Sequence, residues 1–115
     1  RSMEFLGEGE APYPQLRLAE VEDYGAVYQE VLDYVQRLYR DARLVHADLS
    51  EYNILYHEKP YLIDMGQAVT LDHPQALTFL IRDIKNLNRY FSRYCDVLDE
   101  QEIVRTITGT GRREP

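Results

Sequence analysis

Between Ala19 and Arg40 the apolar residues fall at 21, 24, 28, 31, 32, 35, 38 and 39, with charges on the opposite side. That recurrence predicts an amphipathic helix of about five turns. Tyr24 and Tyr28 belong to its stripe and read as core packing, while Tyr34 lies off it. The acidic residues Glu8, Glu10, Glu20, Glu22 and Asp23 read as a solvated face and a helix start, where negative charge meets unpaired N–H groups. Upstream, residues 3–6 read as the end of a strand, and the Gly- and Pro-containing run 7–14 as a loop that cannot extend it. Residues 43–45 form a short strand; 53–56 and 61–64 form two more around a turn at His57-Glu-Lys-Pro60. Asp72-His-Pro74 opens a second helix, with Pro74 at its first position and Asp72 or His73 as cap. Apolar residues at 77, 80, 81, 84, 87 and 91 carry that helix to about Phe91. Asp83 falls inside the stripe, where an unpaired carboxylate is costly, so it either reaches solvent at the edge or accepts N–H bonds from a buried loop. A last short helix spans 99–108, capped by Asp99 with Glu102 three residues on, before a frayed end.

With 115 residues, 44% of them hydrophobic, the chain can bury one core, so a single domain or part of one is expected. There are 13 basic against 20 acidic residues, a net charge of −7. The basic residues are not clustered beyond Arg112-Arg113, which argues against a nucleic-acid-binding face in this segment. One cysteine, Cys95, excludes an internal disulfide and reads as packed after an apolar helix; it fits a reducing compartment. No apolar run is long enough to span a bilayer and no signal-peptide pattern opens the chain, so a soluble cytoplasmic protein without a membrane partner is expected.

The chemistry concentrates in two strings at strand ends. Leu44-Val-His-Ala-Asp48-Leu-Ser-Glu-Tyr-Asn53 has the form H-x-D-x-x-x-x-N, and Ile63-Asp64-Met-Gly66 the form D-x-G. Phosphoryl-transfer enzymes use this order: the first Asp accepts or orients the proton of the attacking hydroxyl, and the Asn and second Asp hold magnesium. Magnesium is a hard cation that keeps several waters, so one carboxylate, one amide oxygen and ATP phosphates suffice. Asp48 is therefore the candidate base or orienter, and Asn53 and Asp64 are the candidate ligands for magnesium or manganese. His46 reads as a residue that holds the metal-binding loop by hydrogen bonds rather than as a ligand, and His57 and His73 as surface or capping residues.

These strings resemble the RIO atypical serine/threonine protein kinases, and within them the type-1 branch. The resemblance extends to Asp72-His-Pro74, to Phe79-Leu-Ile-Arg-Asp83 and to Met3-Glu-Phe-Leu-Gly7, which looks like the family's hinge, and so covers most of residues 3–91. It implies an α+β fold: a protein-kinase-like C-terminal lobe, mainly helical, with a hinge strand at 1–7 and catalytic and metal-binding loops at 44–67. It implies Met3 as gatekeeper, with the Glu4 carbonyl and Leu6 amide meeting adenine. ATP as substrate, serine autophosphorylation or ATP hydrolysis, Asp64 as a transient phosphate acceptor, and a partner in the maturing small ribosomal subunit follow from the same resemblance. Asp83 stands where protein kinases use a buried Asp to hold the catalytic loop's backbone, so its carboxylate is expected to accept N–H bonds around His46 and Ala47.

Departures from an ordinary protein kinase carry mechanism. Ala47 replaces the usual Arg beside the catalytic Asp, Ser50 replaces a phosphate-contacting Lys, and Met65 replaces the Phe of D-F-G. Only nine residues separate Asp64 from Pro74, which leaves no room for an activation loop or a peptide-docking segment. The chain starts at the resembled hinge, so an N-terminal lobe with its phosphate loop is expected to be absent, and the lobe alone is expected to be nearly inactive. Two other readings stay open on the residues alone: a small-molecule phosphotransferase of the aminoglycoside or choline kinase type, and a binding module without catalysis.

Overall fold

The computed structural model describes residues 13–109 of the chain; the hinge positions Met3, Glu4 and Leu6 lie outside the described residues, as do 110–115. Helix α1 spans Tyr24–Arg40. It starts five residues later than the periodicity alone placed it, because the Asp23 carboxylate accepts the Ala26 N–H at 3.1 Å and fixes the first turn there. Before it, Leu16–Leu18 form a single 3-10 turn that buries Leu16 completely. The helix buries Tyr28, Val31, Leu32, Val35 and Leu38 as expected, and also Val27 and Tyr34. Tyr34 was expected off the stripe; its ring is drawn in beneath the Arg37 guanidinium, 5.0 Å from the ring centre.

Four short strands follow: β1 Leu44–Val45, β2 Ile54–Tyr56, β3 Pro60–Leu62 and β4 Val69–Thr70. β2 and β3 form the expected antiparallel hairpin, with Leu55 opposite Tyr61. Pro60 belongs to strand β3 rather than to the turn, which is narrowed to 57–59 with Glu58 in the left-handed region. Asp64 lies beyond the strand. β1 pairs antiparallel with β4, a pairing that two-residue strands leave no alternating pattern to announce.

Helix α2 spans Ala76–Phe91. Pro74 is not its first residue; it lies in a turn where His73 Nδ1 accepts the Gln75 N–H at 3.0 Å and the His73 carbonyl accepts the Ala76 N–H. Its buried face is Ala76, Leu80, Asp83, Ile84, Leu87, Asn88, Tyr90 and Phe91, so Leu77 and Ile81, expected in the stripe, face solvent. Helix α3, Glu100–Thr108, is capped as expected: Asp99 accepts the Glu102 N–H at 3.1 Å. It ends on Gly109 at φ +77°, a conformation that favours glycine.

The three helices pack on one core that includes Val31, Val35, Ile84, Leu87, Phe91, Ile103 and Ile107. Burial of a side chain such as Leu87 stabilises by about 1.5–3 kcal/mol, and truncation to Ala costs about 2–5 kcal/mol once the cavity is counted. Two polar anchors set the helices' positions. The Tyr28 hydroxyl donates to Asn88 Oδ1 at 2.7 Å and accepts the Leu98 N–H at 3.0 Å, which joins α1 to α2 and to the loop before α3. Arg40 donates to the Thr106 and Ile107 carbonyls, where its charge meets the negative end of the α3 dipole. Cys95 is half-buried against the core, and burial pushes its thiol pKa up, as for an unreactive packed cysteine. No described helix is long and apolar enough to cross a membrane.

Candidate active site

Strand β1 ends on buried Val45 and hands the chain to His46, whose ring is 2% exposed. Ala47 then turns into the left-handed region at φ +74°, which a residue with a Cβ adopts at a cost of about 1 kcal/mol. The turn sends the next side chain, Asp48, out to solvent while Leu49 returns to the core. The loop continues as a 3-10 turn, Glu51–Asn53, in which Ser50 Oγ accepts the Tyr52 N–H. That turn folds Asn53 back onto the loop: its Nδ2 donates to the Asp48 carbonyl. With the amide nitrogen so engaged, Asn53 Oδ1 is left as a free oxygen donor.

The second string is tied to the first by two bonds to one residue. The Ile63 N–H donates to the Asn53 carbonyl at 3.0 Å. The Ile63 carbonyl lies 2.9 Å from His46 Nε2. His46 Nδ1 accepts the Asp48 N–H at 3.2 Å, so Nε2 carries the ring proton and donates it to Ile63. The expected structural role of His46 is what the structure shows: it joins the loop of Asp48 to the strand end before Asp64. Asp64 itself is exposed and left-handed (φ 65°, ψ 57°), and leads into the 3-10 turn Met65–Gln67. Met65 is half-buried, and a Cβ on Gly66 would meet nothing within 4 Å, so the fold itself does not demand glycine there.

Beneath the loop lies Asp83, 1% exposed. Its two oxygens accept the Ala47 N–H at 2.8 Å and the Leu49 N–H at 3.0 Å, so it takes the buried-loop alternative rather than the solvent edge. Burial raises its pKa; the Leu49 and Ala47 N–H bonds and the Arg82 charge pull against that without cancelling it. Two further residues of α2 reach the same loop and carried no signal that marked them in advance: Arg82 donates to the Ala47 carbonyl at 2.5 Å and Asn86 to the Leu49 carbonyl at 3.2 Å.

The sequence-predicted residues Asp48 and Asn53 are in direct contact, and Asp64 adjoins Ile63, which is bonded to both ends of the His46–Asn53 loop. Met3, Glu4 and Leu6 lie outside the described residues. Among the described residues no three His, Cys, Asp or Glu side chains converge as a ready-made metal cage. The donor set that is present, one carboxylate and one freed amide oxygen on exposed loops, suits a hard cation shared with phosphate oxygens. A groove of 360 Å³ between α1 and α3 contains none of these residues.

A small lobe of helices, topped by strand ends that carry two carboxylates and fastened from below by a buried Asp, defines the C-terminal lobe of a protein-kinase-like fold. The RIO domain family matches residues 2–103, and the chain belongs to that family. It is 44% identical over 101 residues to the RIO-type serine/threonine-protein kinase Rio1 of Thermoplasma acidophilum, covering 88% of this chain and 53% of that protein. To the human serine/threonine-protein kinase RIO1 it is 46% identical over 95 residues, 80% of this chain and 17% of that protein. These RIO1 names agree with the type-1 resemblance. The Rio2 kinase of Chaetomium thermophilum, solved as an ADP/Mg2+–phosphoaspartate complex, superimposes with a TM-score of 0.69 at 25% identity, over 88% of this chain and 35% of that one. The chain thus spans about half the length of the archaeal relative and less of the other two.

Proposed function

We propose that this chain provides the catalytic and metal-binding loops for ATP- and magnesium-dependent phosphoryl transfer by a RIO-type serine/threonine kinase. The observation that carries the reading is the bond from Asn53 Nδ2 to the Asp48 carbonyl, which presents a nucleophile-facing carboxylate and a metal-facing amide oxygen from one rigid turn. Asp48 orients the attacking hydroxyl and accepts its proton; exposed at the loop's crest, it can reach a substrate held above the lobe. Asn53 and Asp64 would hold magnesium, which when bound neutralises the charge of the phosphates. His46 keeps the two loops in register. Met3, Glu4 and Leu6 are assigned to adenine by the family resemblance.

Asp64 is also proposed as a transient phosphate acceptor, a reading supported by the phosphoaspartate of the Rio2 complex. In that step an Asp64 carboxylate oxygen bonds the γ-phosphorus, the bond to the ADP oxygen breaks, and water later releases phosphate. Serine autophosphorylation and ATP hydrolysis are the two outcomes this chemistry allows, and the maturing small ribosomal subunit in the cytoplasm is the proposed setting.

The test is turnover in the full-length protein. Asp64→Ala and Asn53→Ala should each weaken magnesium-dependent turnover, while Asp48→Asn should lower turnover and leave nucleotide binding nearly intact. Unchanged turnover in all three would overturn the assignment. For the setting, wild-type protein should co-sediment with small-subunit precursors, and its absence from them would remove that part of the proposal.

A further inference from the structure

The two peptide units on either side of Asp48 have every polar group bonded. The unit before it uses its N–H on His46 Nδ1 and its carbonyl on Arg82 Nη2. The unit after it uses its N–H on Asp83 Oδ1 and its carbonyl on Asn53 Nδ2. One peptide further out on each side, the Ala47 N–H goes to Asp83 Oδ2 and the Leu49 carbonyl to Asn86 Nδ2. Helix α2 therefore grips the loop with three residues: Asp83 takes two N–H groups, and Arg82 and Asn86 supply donors to two carbonyls. Ala47 has no side-chain cation of its own and sits in a left-handed conformation that relaxes once released. Arg82 is itself held, its guanidinium 4.9 Å from the centre of the Phe79 ring, so little freedom remains to be lost when it bonds the loop.

We infer that Arg82 and Asn86 are positioning residues that fix the direction of the Asp48 side chain through the Ala47 and Leu49 carbonyls. Asp83 fixes the Ala47 and Leu49 N–H groups, while the Asp48 N–H has only its longer 3.2 Å bond to His46 Nδ1. With its carbonyl unpartnered, the Ala47–Asp48 peptide can still rotate about that single tether, and that rotation swings the Asp48 carboxylate. Arg82 closes that freedom at the strained residue, and Asn86, one turn along the same helix, holds the Leu49 carbonyl and so the peptide that leaves the loop segment. The catalytic consequence rests on the kinase reading given above. The geometric consequence does not.

The experiment uses the full-length protein and the variants Arg82→Met, Arg82→Lys and Asn86→Ala. Met keeps the apolar stem against Phe79 and removes the donors; Lys restores one. Amide hydrogen exchange without nucleotide should rise about tenfold or more at Asp48 and Leu49 in Arg82→Met, with Ile84 and Ile107 in the core unchanged. Magnesium-dependent turnover should fall about tenfold in kcat with KM for ATP nearly unchanged, and Arg82→Lys should recover most of both effects. Asn86→Ala should act in the same direction more weakly. Wild-type exchange at Asp48 and Leu49 in Arg82→Met would overturn the inference. So would loosened exchange with kcat held at the wild-type level. If wild type itself shows no turnover, the kinase reading fails, and exchange together with its recovery in Arg82→Lys decides the positioning role.

Discussion

The Asp83 carboxylate and the Ala47 N–H, 36 residues apart in sequence, meet at 2.8 Å in a buried site. Its second oxygen takes the Leu49 N–H, so one side chain pairs two donors that have no other means of leaving water. Asp83→Ala leaves both unpaired and should cost about 1–3 kcal/mol of stability together with most of the activity. Asp48→Asn, at an exposed position, should leave stability nearly unchanged. Urea titration of both variants checks this; equal midpoints for wild type and Asp83→Ala would remove Asp83 from the loop's support.

The same residue carries a pH dependence whose sign is set by its raised pKa. Above about pH 4 an unfolded Asp83 has lost its proton while the folded protein still binds one. Asp83's contribution is therefore fully present below the unfolded value and is lost as pH rises through the folded one. The stability difference between wild type and Asp83→Asn should shrink as pH rises from 4 toward neutrality, as read from denaturant midpoints at fixed salt. A difference that grows over that range would show the carboxylate to be stabilised in its charged form.

How far the sequence spoke for the structure depended on the range of the interaction. Asp23 and Asp99 cap their helices through local bonds to residues three positions on, so both were legible from spacing. Asp48, Asn53 and Asp64 stood out as the proposed site because phosphoryl transfer needs those donor types in that order, and the structure brings Asp48 and Asn53 together. Asp83 was legible as an anomaly, a carboxylate inside an apolar stripe. Arg82 and Asn86 were not, since an Arg and an Asn flanking a buried turn look like any solvated helix face. Leu77 and Ile81 misled for the opposite reason: their spacing fits a stripe, but Asp83, Asn88 and Tyr90 rotate the buried face away from them. The β1–β4 pairing joins two-residue strands, too short for any period.

Two buried tyrosines should respond oppositely to losing a hydroxyl. The Tyr28 hydroxyl serves Asn88 and Leu98, so Tyr28→Phe strands two polar groups and should cost about 1–3 kcal/mol. The Tyr90 hydroxyl is buried beside Tyr24 and Tyr94 without a hydrogen bond of good geometry to either, and burial pushes its pKa well above the usual tyrosine range. Tyr90→Phe should be neutral or stabilising at pH 7. It should also flatten the alkaline loss of stability, because folded Tyr90 keeps a proton that the unfolded chain releases above about pH 10. Thermal melts at both pH values separate the pair; a destabilised Tyr90→Phe would mean the hydroxyl has a partner.

Arg43 follows α1 at φ +59°, and its side chain is exposed. A left-handed Arg carries a cost of about 1–2 kcal/mol that glycine does not, offset in part by the greater freedom of an unfolded glycine. Arg43→Gly should gain about 0.5–1 kcal/mol in urea unfolding and leave turnover unchanged. A loss of stability would show that the Arg43 side chain makes a contact worth more than the strain.

The sharpest discrimination concerns Asn53, which has two tasks at one amide: Nδ2 holds the Asp48 carbonyl, and Oδ1 is the proposed metal donor. Asn53→Ala removes both and cannot tell them apart. Asn53→Asp keeps an oxygen for the metal and adds charge, which favours a hard cation. Yet it sets a carboxylate oxygen against the Asp48 carbonyl, acceptor against acceptor, where a donor had been. The loop must shift to relieve that repulsion, and Asp48 shifts with it. Asn53→Asp in the full-length protein should therefore show half-saturation by magnesium at an equal or lower concentration than wild type, with kcat reduced about tenfold or more. Asn53→Ala should instead raise the magnesium requirement. If Asn53→Asp turns over at the wild-type rate, the bond to Asp48 is dispensable and Asn53 acts as a ligand alone. If its magnesium requirement rises as in Asn53→Ala, the oxygen is misplaced by the same shift, and aim and ligation at this residue are one function.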